Sequence, residues 1–239
     1  MASFVEPFLE FIYPHLCFLC DARHGGKAPL CPACRRMLRS SARTNIQQGK
    51  GFFHELSGDL FFDQAVTVWD FSHELENLIH QVKYQNRRRL GLFLGRLAGR
   101  FVRNALPRPD SALVVPVPLH GTRQRERGYN QSAWIGQGLS GSTGIPFSAK
   151  GLARVKHTRT QTELAAGERE KNVANAFSVR NRGAIEGKTV VLVDDVITTG
   201  ATLNACAKAL KAAGAARVTG FALARPQMSM LGVDIVDFS

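Results

Sequence analysis

Short apolar runs alternate with segments of helical hydrophobic spacing along most of the chain, a pattern typical of an α/β fold. The runs Ala65–Trp69, Leu113–Val115 and Val190–Val193 predict strands, and the last two read as strands buried on both faces. Because strands separated by helical segments usually pair in parallel, we expect a parallel sheet with helices on both faces.

Two helices are predicted between the first and second strands. One begins after Ser72 and ends at Lys83-Tyr84. Its apolar face is formed by Leu75, Leu78, Ile79 and Val82. The other helix has a longer apolar stripe, formed by Leu90, Phe93, Leu94, Leu97, Phe101 and Val102. The glycines of this second helix, at positions 91, 95 and 99, predict a closely packed helical neighbour.

The segment after the third strand carries the most specific chemistry. Two adjacent acids, Asp194 and Asp195, follow the strand, and a helix is predicted from Ala201 to Gly214. Between the acids and the helix lies a turn made of Thr198, Thr199, Gly200, Ala201 and Thr202. Hydroxyls and free N–H groups at a helix N-terminus bind phosphate, while carboxylates accept hydrogen bonds from ribose hydroxyls. This pattern predicts a sugar phosphate site rather than a turn with solvated acids.

Four of the five cysteines form the pattern Cys17-x2-Cys20-x10-Cys31-x2-Cys34. Paired knuckles with this spacing predict one structural zinc ion with four thiolate ligands, and free or disulfide-bonded cysteines are the alternative. We expect the substitution Cys31→Ser to unfold roughly the first forty residues and to leave the sugar phosphate site mostly intact. The fifth cysteine, Cys206, is interpreted as a small buried hydrophobic residue.

The chain is strongly basic, with a formal charge of +12 over 239 residues. This charge favours anionic partners, either pyrophosphate-bearing substrates or nucleic acid. The basic clusters contain Arg35, Arg36, Arg39 and Arg43, then Arg87 to Arg89 with Arg96, Arg100 and Arg103, and finally Arg123, Arg125 and Arg127. The middle cluster is interpreted as a solvated helix face, whereas the last cluster is predicted to lie in a loop.

The N-terminal residues do not have the pattern of a signal peptide. Glu6 and Glu10 interrupt the apolar residues, and there is neither a basic start nor a small-residue cleavage site. Apolar runs in this chain are also too short to cross a bilayer. We therefore expect a cytoplasmic protein without a transmembrane segment.

The segment from Asp194 to Gly200 resembles the phosphoribosyl pyrophosphate (PRPP) loop of type I phosphoribosyltransferases. More closely, the chain resembles the ComF family of competence proteins. The further segments that carry this resemblance are the four cysteines, Lys83-Tyr84, Val115-Pro-Val-Pro-Leu-His120 with Arg127-Gly-Tyr-Asn-Gln131, Thr160-Gln161, Arg169, Asn172-Val173 and Ala176-Phe177. Together they cover nearly the whole chain.

The resemblance implies two regions. Residues 1–50 would comprise an N-terminal helix, a four-cysteine zinc ribbon and a linker over Ser40–Gly51. Residues 51–239 would form a type I phosphoribosyltransferase-like domain.

The resemblance also implies roles for individual residues. Asp194 and Asp195 would hold the ribose hydroxyls of PRPP, and the turn from Thr198 to Thr202 would hold its 5′-phosphate. Mg2+ would be bound largely through PRPP itself. Pyrophosphate would be cradled by the loop Pro118–Asn130, with Arg123 or Arg127 as its cation. A mobile loop over Arg154–Lys171 would close the site, with candidates Arg159, Gln161 and Arg169.

Two hypotheses for the function remain open. In the first, the protein is a phosphoribosyltransferase that displaces pyrophosphate from C1 of ribose with an unidentified acceptor. Purine phosphoribosyltransferases have an acid where this chain has Thr198, which disfavours a 6-oxopurine acceptor. In the second, the protein binds PRPP without turnover and handles single-stranded DNA during natural transformation, alongside competence-machinery proteins at the inner membrane.

Overall fold

The computed structural model describes residues 15–48, 53, 59–119, 121–155 and 176–226. Its strands are β1 His15–Leu16, β2 Arg23–His24, β3 Asn45–Gln47, β4 Gln64–Asp70, β5 Ala112–Pro116, β6 Leu152–Arg154, β7 Phe177–Val179, β8 Thr189–Val193 and β9 Arg217–Arg225. Its helices are α1 Pro32–Ser40, α2 His73–Tyr84, α3 Arg88–Val102, α4 Gly121–Arg127, α5 Gln131–Thr143 and α6 Ala201–Ala212. The predicted N-terminal helix lies outside the described residues. Within them, no helix has the length and apolar character needed to span a membrane.

The main sheet has five strands in the order β3, β4, β9, β8, β5. Strands β4, β9, β8 and β5 run parallel, and β3 pairs antiparallel with β4 at one edge. The predicted parallel sheet is confirmed, with β3 as an antiparallel addition. Because the four parallel strands end at the same side of the sheet, their carboxyl ends define the place where a ligand is expected to bind.

Helices cover both faces of the sheet, as predicted. Along β8, Val191 and Val193 point into one core with residues of α2, α3 and α5. Val190 and Leu192 point into a second core with α6. This alternation follows from the two-residue period of a strand, and it explains why β8 is apolar along its length.

Glycines allow α3 and α5 to pack closely. A β-carbon on Gly95 would lie 2.0 Å from the carbonyl oxygen of Ile135, and one on Gly138 would lie 2.2 Å from that of Leu92. The close helical neighbour predicted from the α3 glycines is therefore α5. The sequence did not indicate α5 itself, because its own glycines dilute the apolar pattern.

Two segments predicted as irregular contain regular structure. Asn45–Gln47, within the predicted linker, forms β3 through pairs such as Ile46 with Val66. Gly121–Arg127, within the predicted loop after β5, forms the short helix α4. Both predictions were wrong for the same reason, since each segment is mainly polar. The pairing with β4, rather than an apolar pattern of its own, holds β3 in place.

The cysteine-rich segment packs directly on the main sheet. Cys31 and Leu38 belong to the same buried core as Trp69. Trp69 Nε1 donates a hydrogen bond to the carbonyl oxygen of Leu38 (2.7 Å), and Gln81 Nε2 donates one to that of Phe18 (2.5 Å). A change in this segment should therefore affect β4 and α2.

Candidate functional site

The acid pair lies directly after β8 and is held by β9, which extends beyond it. The backbone N of Asp194 donates to the carbonyl oxygen of Phe221 (2.9 Å), and the backbone N of Leu223 donates to that of Asp195 (3.0 Å). Because β9 is a central strand, these bonds fix the backbone of both acids at the carboxyl edge of the sheet.

Asp194 is a half-buried carboxyl group with two hydrogen-bond donors on one oxygen. Its Oδ1 lies 3.0 Å from Ser132 Oγ, at the start of α5, and 2.9 Å from the backbone N of Asp195. Burial and the adjacent Asp195 carboxylate raise the pKa of Asp194 to about 7, against the opposing effects of these hydrogen bonds and of Lys83. Burial, and then the charge of Asp194, raise the pKa of the Cys206 thiol in α6.

Asp195 is more deeply buried, with 5% of its surface exposed. Its Oδ1 lies 3.3 Å from Nζ of Lys83, the residue before the last of α2. Its Oδ2 is buried and has no hydrogen-bond partner among the described residues. A buried carboxylate oxygen without a donor is costly, so this atom is suited to accept a hydrogen bond from a bound molecule.

The turn after the acids leads into α6 through Gly200, which has a φ of 83°. A residue with a side chain is strained in this left-handed conformation, which explains the glycine. Thr198 and Thr199 are exposed, and Thr199 Oγ1 accepts a hydrogen bond from the backbone N of Ala201 (3.3 Å). Gly200 gives α6 no side-chain cap, and Thr202 lies in the first turn of this helix.

An open cleft of about 380 Å³ is connected to the acid pair through Lys83, which lines the cleft and pairs with Asp195. It is lined by Lys83, Tyr84, Asn86, Arg123, Glu126, Arg127 and Tyr129. Arg123 and Arg127 are one helical turn apart on α4 and are both half-buried, whereas Arg125 between them is exposed. The structure thus brings Arg123 and Arg127 to one cleft with Lys83, and leaves Arg125 outside it.

Aromatic contacts shape this cleft. The guanidinium of Arg127 lies over the ring of Tyr84, 4.5 Å from its centroid. The hydroxyl of Tyr129 donates to the carbonyl oxygen of Lys83 (2.8 Å) and accepts from the backbone N of Asn86 (3.0 Å). The segment after α4 and the C-terminal end of α2 are therefore held together.

The chemistry of the sequence did not indicate two residues of this site, Lys83 and Ser132. Lys83 was identified only as part of a family resemblance, and Ser132 was not identified at all. Neither stands in a motif whose chemistry points to a carboxylate, so only the fold reveals their contacts. Arg159, Gln161 and Arg169 lie outside the described residues, between β6 and β7.

The four N-terminal cysteines form a second candidate site. Their sulfur atoms all lie within 4.8 Å of one another, and Sγ of Cys20 is 3.8 Å from Sγ of Cys31. Four sulfurs bound at about 2.3 Å to a tetrahedral metal ion are about 3.8 Å apart. The four thiols are therefore close enough together to hold one metal ion. Cys206 is fully buried in α6, as predicted.

Comparisons with known proteins agree with this architecture. The family described as "Phosphoribosyl transferase domain" matches residues 92–230. Competence protein F of Haemophilus influenzae is 34% identical over 84% of this chain and 93% of its own length. DNA utilization protein YhgH of Escherichia coli K12 is 34% identical over 89% and 97%, respectively. Competence protein ComFC of Bacillus subtilis is 27% identical over 82% and 78%.

A glutamine PRPP amidotransferase from B. subtilis, solved in complex with ADP and GMP, was found among known structures. It is 24% identical, with a TM-score of 0.40, and the match covers 59% of this chain and 30% of the amidotransferase. The two relatives that are 34% identical, by contrast, match along more than nine-tenths of their own length. The chain therefore belongs to the ComF family of competence proteins, with a type I phosphoribosyltransferase fold and an N-terminal cluster of four cysteines.

Proposed function

We propose that this protein binds PRPP, or a related phosphosugar, at the carboxyl edge of its sheet and acts in the cytoplasm in the handling of single-stranded DNA during DNA uptake. The acid pair is the observation that supports the binding of PRPP. Asp195 Oδ2 is buried and receives no hydrogen bond from any residue that the structure describes, and Asp194 adjoins it on a backbone fixed by β9. The ribose 2′ and 3′ hydroxyls of PRPP are donors of the required kind.

The turn from Thr198 to Thr202 supports the phosphate half of the proposal. It joins the acids to the N-terminus of α6, where the helix dipole stabilises a phosphate dianion. Thr198, Thr199 and Thr202 supply hydroxyls, and Gly200 and Ala201 allow the backbone to approach the ligand. A 5′-phosphate held here would bring the ribose over Asp194 and Asp195.

The cationic cleft is suited to bind a second anionic group of the ligand. Arg123, Arg127 and Lys83 would face the pyrophosphate of PRPP, and Mg2+ bound through PRPP would neutralise part of its charge. We further propose that Arg159, Gln161 and Arg169 close over this ligand. Since Mg2+ keeps several of its waters, few protein ligands are required for it.

We propose that Cys17, Cys20, Cys31 and Cys34 hold a structural Zn2+ ion. Four thiolates fill its coordination sphere, so the ion would stabilise the ribbon and take no part in chemistry. The exposed Arg36 and the half-buried Arg35 follow Cys34 and would offset the negative charge of such a site.

The raised pKa of Asp194 predicts a pH dependence for ligand binding. A protonated Asp194 loses acceptor capacity, so PRPP binding should tighten by about tenfold between pH 6 and pH 8, with a midpoint near pH 7. Because the folded-state pKa is raised, ionisation of Asp194 also lowers stability as pH rises through this range. Calorimetric titration at several pH values measures the effect.

Asp194→Asn is the control for this prediction, since phosphate groups of the ligand also titrate near pH 6. The variant keeps the size of the side chain without its charge. Its pH profile should report the ligand alone and be flatter than that of the wild type. If the pH profiles of Asp194→Asn and the wild type superimpose, Asp194 is not the titrating group.

The DNA part of the proposal draws on the names of the relatives and on the basic surface. Arg96, Arg100 and Arg103 are exposed and lie at helical spacing on or just after α3. They would contact DNA phosphates, and the exposed Phe101 between them offers a ring for base stacking. We also propose competence-machinery proteins at the inner membrane as partners of this protein in the cell.

Replacing Arg96, Arg100 and Arg103 together by glutamine should weaken single-stranded DNA binding and its salt dependence. Removing the cation that pairs with one phosphate should reduce the slope of log K against log salt by about 0.7, or by about 2 for all three arginines. Fluorescence anisotropy with an oligonucleotide over a salt series measures the slope.

A variant with Lys150, Arg180 and Arg182 replaced by glutamine is the matched control. It removes the same charge beside β6 and β7, which pack on the core opposite α3. The control should keep the wild-type slope. An equal reduction of the slope in both triple variants would show that net charge alone, rather than the α3 surface, governs DNA binding.

An active phosphoribosyltransferase is the second candidate function, favoured by the cationic cleft beside the acid pair. An acceptor nucleophile would form a bond to C1 of ribose as the bond from C1 to pyrophosphate breaks, through an oxocarbenium-like transition state. The pyrophosphate would leave with its electron pair, stabilised by Arg123, Arg127 and Lys83. Pyrophosphate release from PRPP on addition of candidate acceptors tests this function, and Thr198 disfavours the 6-oxopurines among them.

A further inference from the structure

Lys83 lies between the acid pair and the cationic cleft and belongs to both. Its Nζ is 3.3 Å from Asp195 Oδ1, and its side chain is 14% exposed. The same residue lines the cleft with Arg123 and Arg127. If a ligand spans the acid pair and the cleft, the ammonium group of Lys83 lies beside both parts of that ligand.

The backbone of Lys83 is fixed, while its side chain is unbranched and flexible. The hydroxyl of Tyr129 donates to the carbonyl oxygen of Lys83, and the next residue, Tyr84, lies under the guanidinium of Arg127. Movement at this point of α2 is therefore confined to the lysine side chain, which has four rotatable carbon–carbon bonds and a compact charge.

The ion pair with Lys83 uses only part of the acceptor capacity of Asp195. Oδ2 of Asp195 is free among the described residues, whereas Oδ1 faces Nζ of Lys83. Ribose hydroxyls donate to carboxylates and would satisfy Asp195 in place of the lysine. A pyrophosphate in the cleft would at the same time offer Lys83 a stronger, doubly charged partner.

We propose that Lys83 determines specificity by exchanging Asp195 for the pyrophosphate of a bound sugar, so that the site prefers a pyrophosphorylated ribose over ribose 5-phosphate. This inference rests on the proposed PRPP site. In the ligand-free protein, Lys83 neutralises Asp195. In the complex, the ribose hydroxyls occupy Asp195, and Lys83 turns into the cleft beside Arg123 and Arg127.

A purely structural role for Lys83 makes a different prediction. If the lysine only held Asp195 in place, its loss would weaken every ligand that uses Asp195, including ribose 5-phosphate. Partner exchange instead limits the loss to ligands with a pyrophosphate. The comparison of two ligands therefore separates the two roles.

The test is calorimetric titration of PRPP and of ribose 5-phosphate, each with Mg2+, into the wild type, Lys83→Gln and Lys83→Arg. Lys83→Gln should weaken PRPP binding by about 30-fold or more, since a charge pair is lost. It should change ribose 5-phosphate binding by less than about threefold, because the hydroxyls no longer compete with a lysine for Asp195. Lys83→Arg keeps the charge and should retain PRPP binding within about fivefold.

Equal weakening of both ligands by Lys83→Gln, or no change in either, would overturn the proposal. A second measurement uses the wild type and Lys83→Arg, and is decisive even where Lys83→Gln does not fold. After reductive methylation with 13C, the Lys83 resonance, identified by its absence in Lys83→Arg, should move with PRPP and Mg2+ but not with ribose 5-phosphate. An identical shift with both ligands would also overturn it. Failure of the wild type to bind either sugar would instead refute the PRPP site itself.

Discussion

Replacing Cys31 by serine should release the metal from the ribbon and lower the unfolding free energy of the whole protein by about 3 kcal/mol or more. Within residues 15–48, the ribbon forms no core separate from the main sheet, and Cys31 and Leu38 share the core of that sheet with Trp69. Loss of the ribbon would therefore expose Trp69 and leave its Nε1 without the carbonyl oxygen of Leu38. Thermal unfolding and metal analysis measure both effects.

Cys206→Ala is the matched control, because Cys206 is buried in α6 away from the four clustered thiols. It should keep one zinc ion per chain and lose less stability than Cys31→Ser. Wild-type protein that contains no zinc after purification without chelator would refute the metal assignment. Equal destabilisation by both substitutions would refute the role of the ribbon in the stability of the sheet.

This expectation differs from the one drawn from the sequence, where roughly the first forty residues were expected to unfold while the sugar phosphate site stayed mostly intact. The sequence indicates a metal site through the spacing of Cys17, Cys20, Cys31 and Cys34, but spacing says nothing about what a ribbon packs against. The hydrogen bond from Gln81 Nε2 to Phe18 shows the contact. Since α2 also carries Lys83, the ribbon supports the helix that presents this lysine to the acid pair.

The centre of the site could be predicted because its signals are local. An apolar run from Val190 to Val193, two acids and a turn with Gly200 lie within a dozen residues, and β8 and α6 begin and end close to the predicted positions. A fully buried parallel strand is recognisable from its own residues, as is a helix with apolar residues at helical spacing.

The rest of the site depends on contacts between distant residues. Ser132 is 62 positions from Asp194, and Lys83 is more than a hundred positions from Asp195. These pairs meet only because α2 and α5 pack on the same face of the sheet, with the end of α2 and the start of α5 near the end of β8. Helix α4 was missed for a different reason, since Gly121–Arg127 has no apolar face by which a helix is recognised.

Replacing Asp194 and Asp195 together by alanine should weaken PRPP binding by about 100-fold or more. The ribose hydroxyls would lose their acceptors, and Lys83 would be left beside the site without its partner. The backbone bonds to Phe221 and Leu223 do not involve the side chains and should keep β8 and β9 paired. Far-ultraviolet circular dichroism and thermal unfolding verify that the variant is folded.

Asp70→Ala is the matched control for the double variant. Asp70 ends β4 at the same edge of the sheet, is exposed and takes no part in the acid pair. Its replacement should leave the affinity for PRPP within about threefold of the wild type. A comparable loss in Asp70→Ala would show that general charge at this edge, rather than the acid pair, binds the ligand.

The most direct test of the proposed PRPP site is calorimetric titration of PRPP with Mg2+ into the wild type beside the Asp194→Ala/Asp195→Ala variant. We expect saturable binding of one PRPP per wild-type chain and no detectable heat of binding in the folded double variant. Absence of binding by the folded wild type, or equal binding by both proteins, would contradict the assignment of this site.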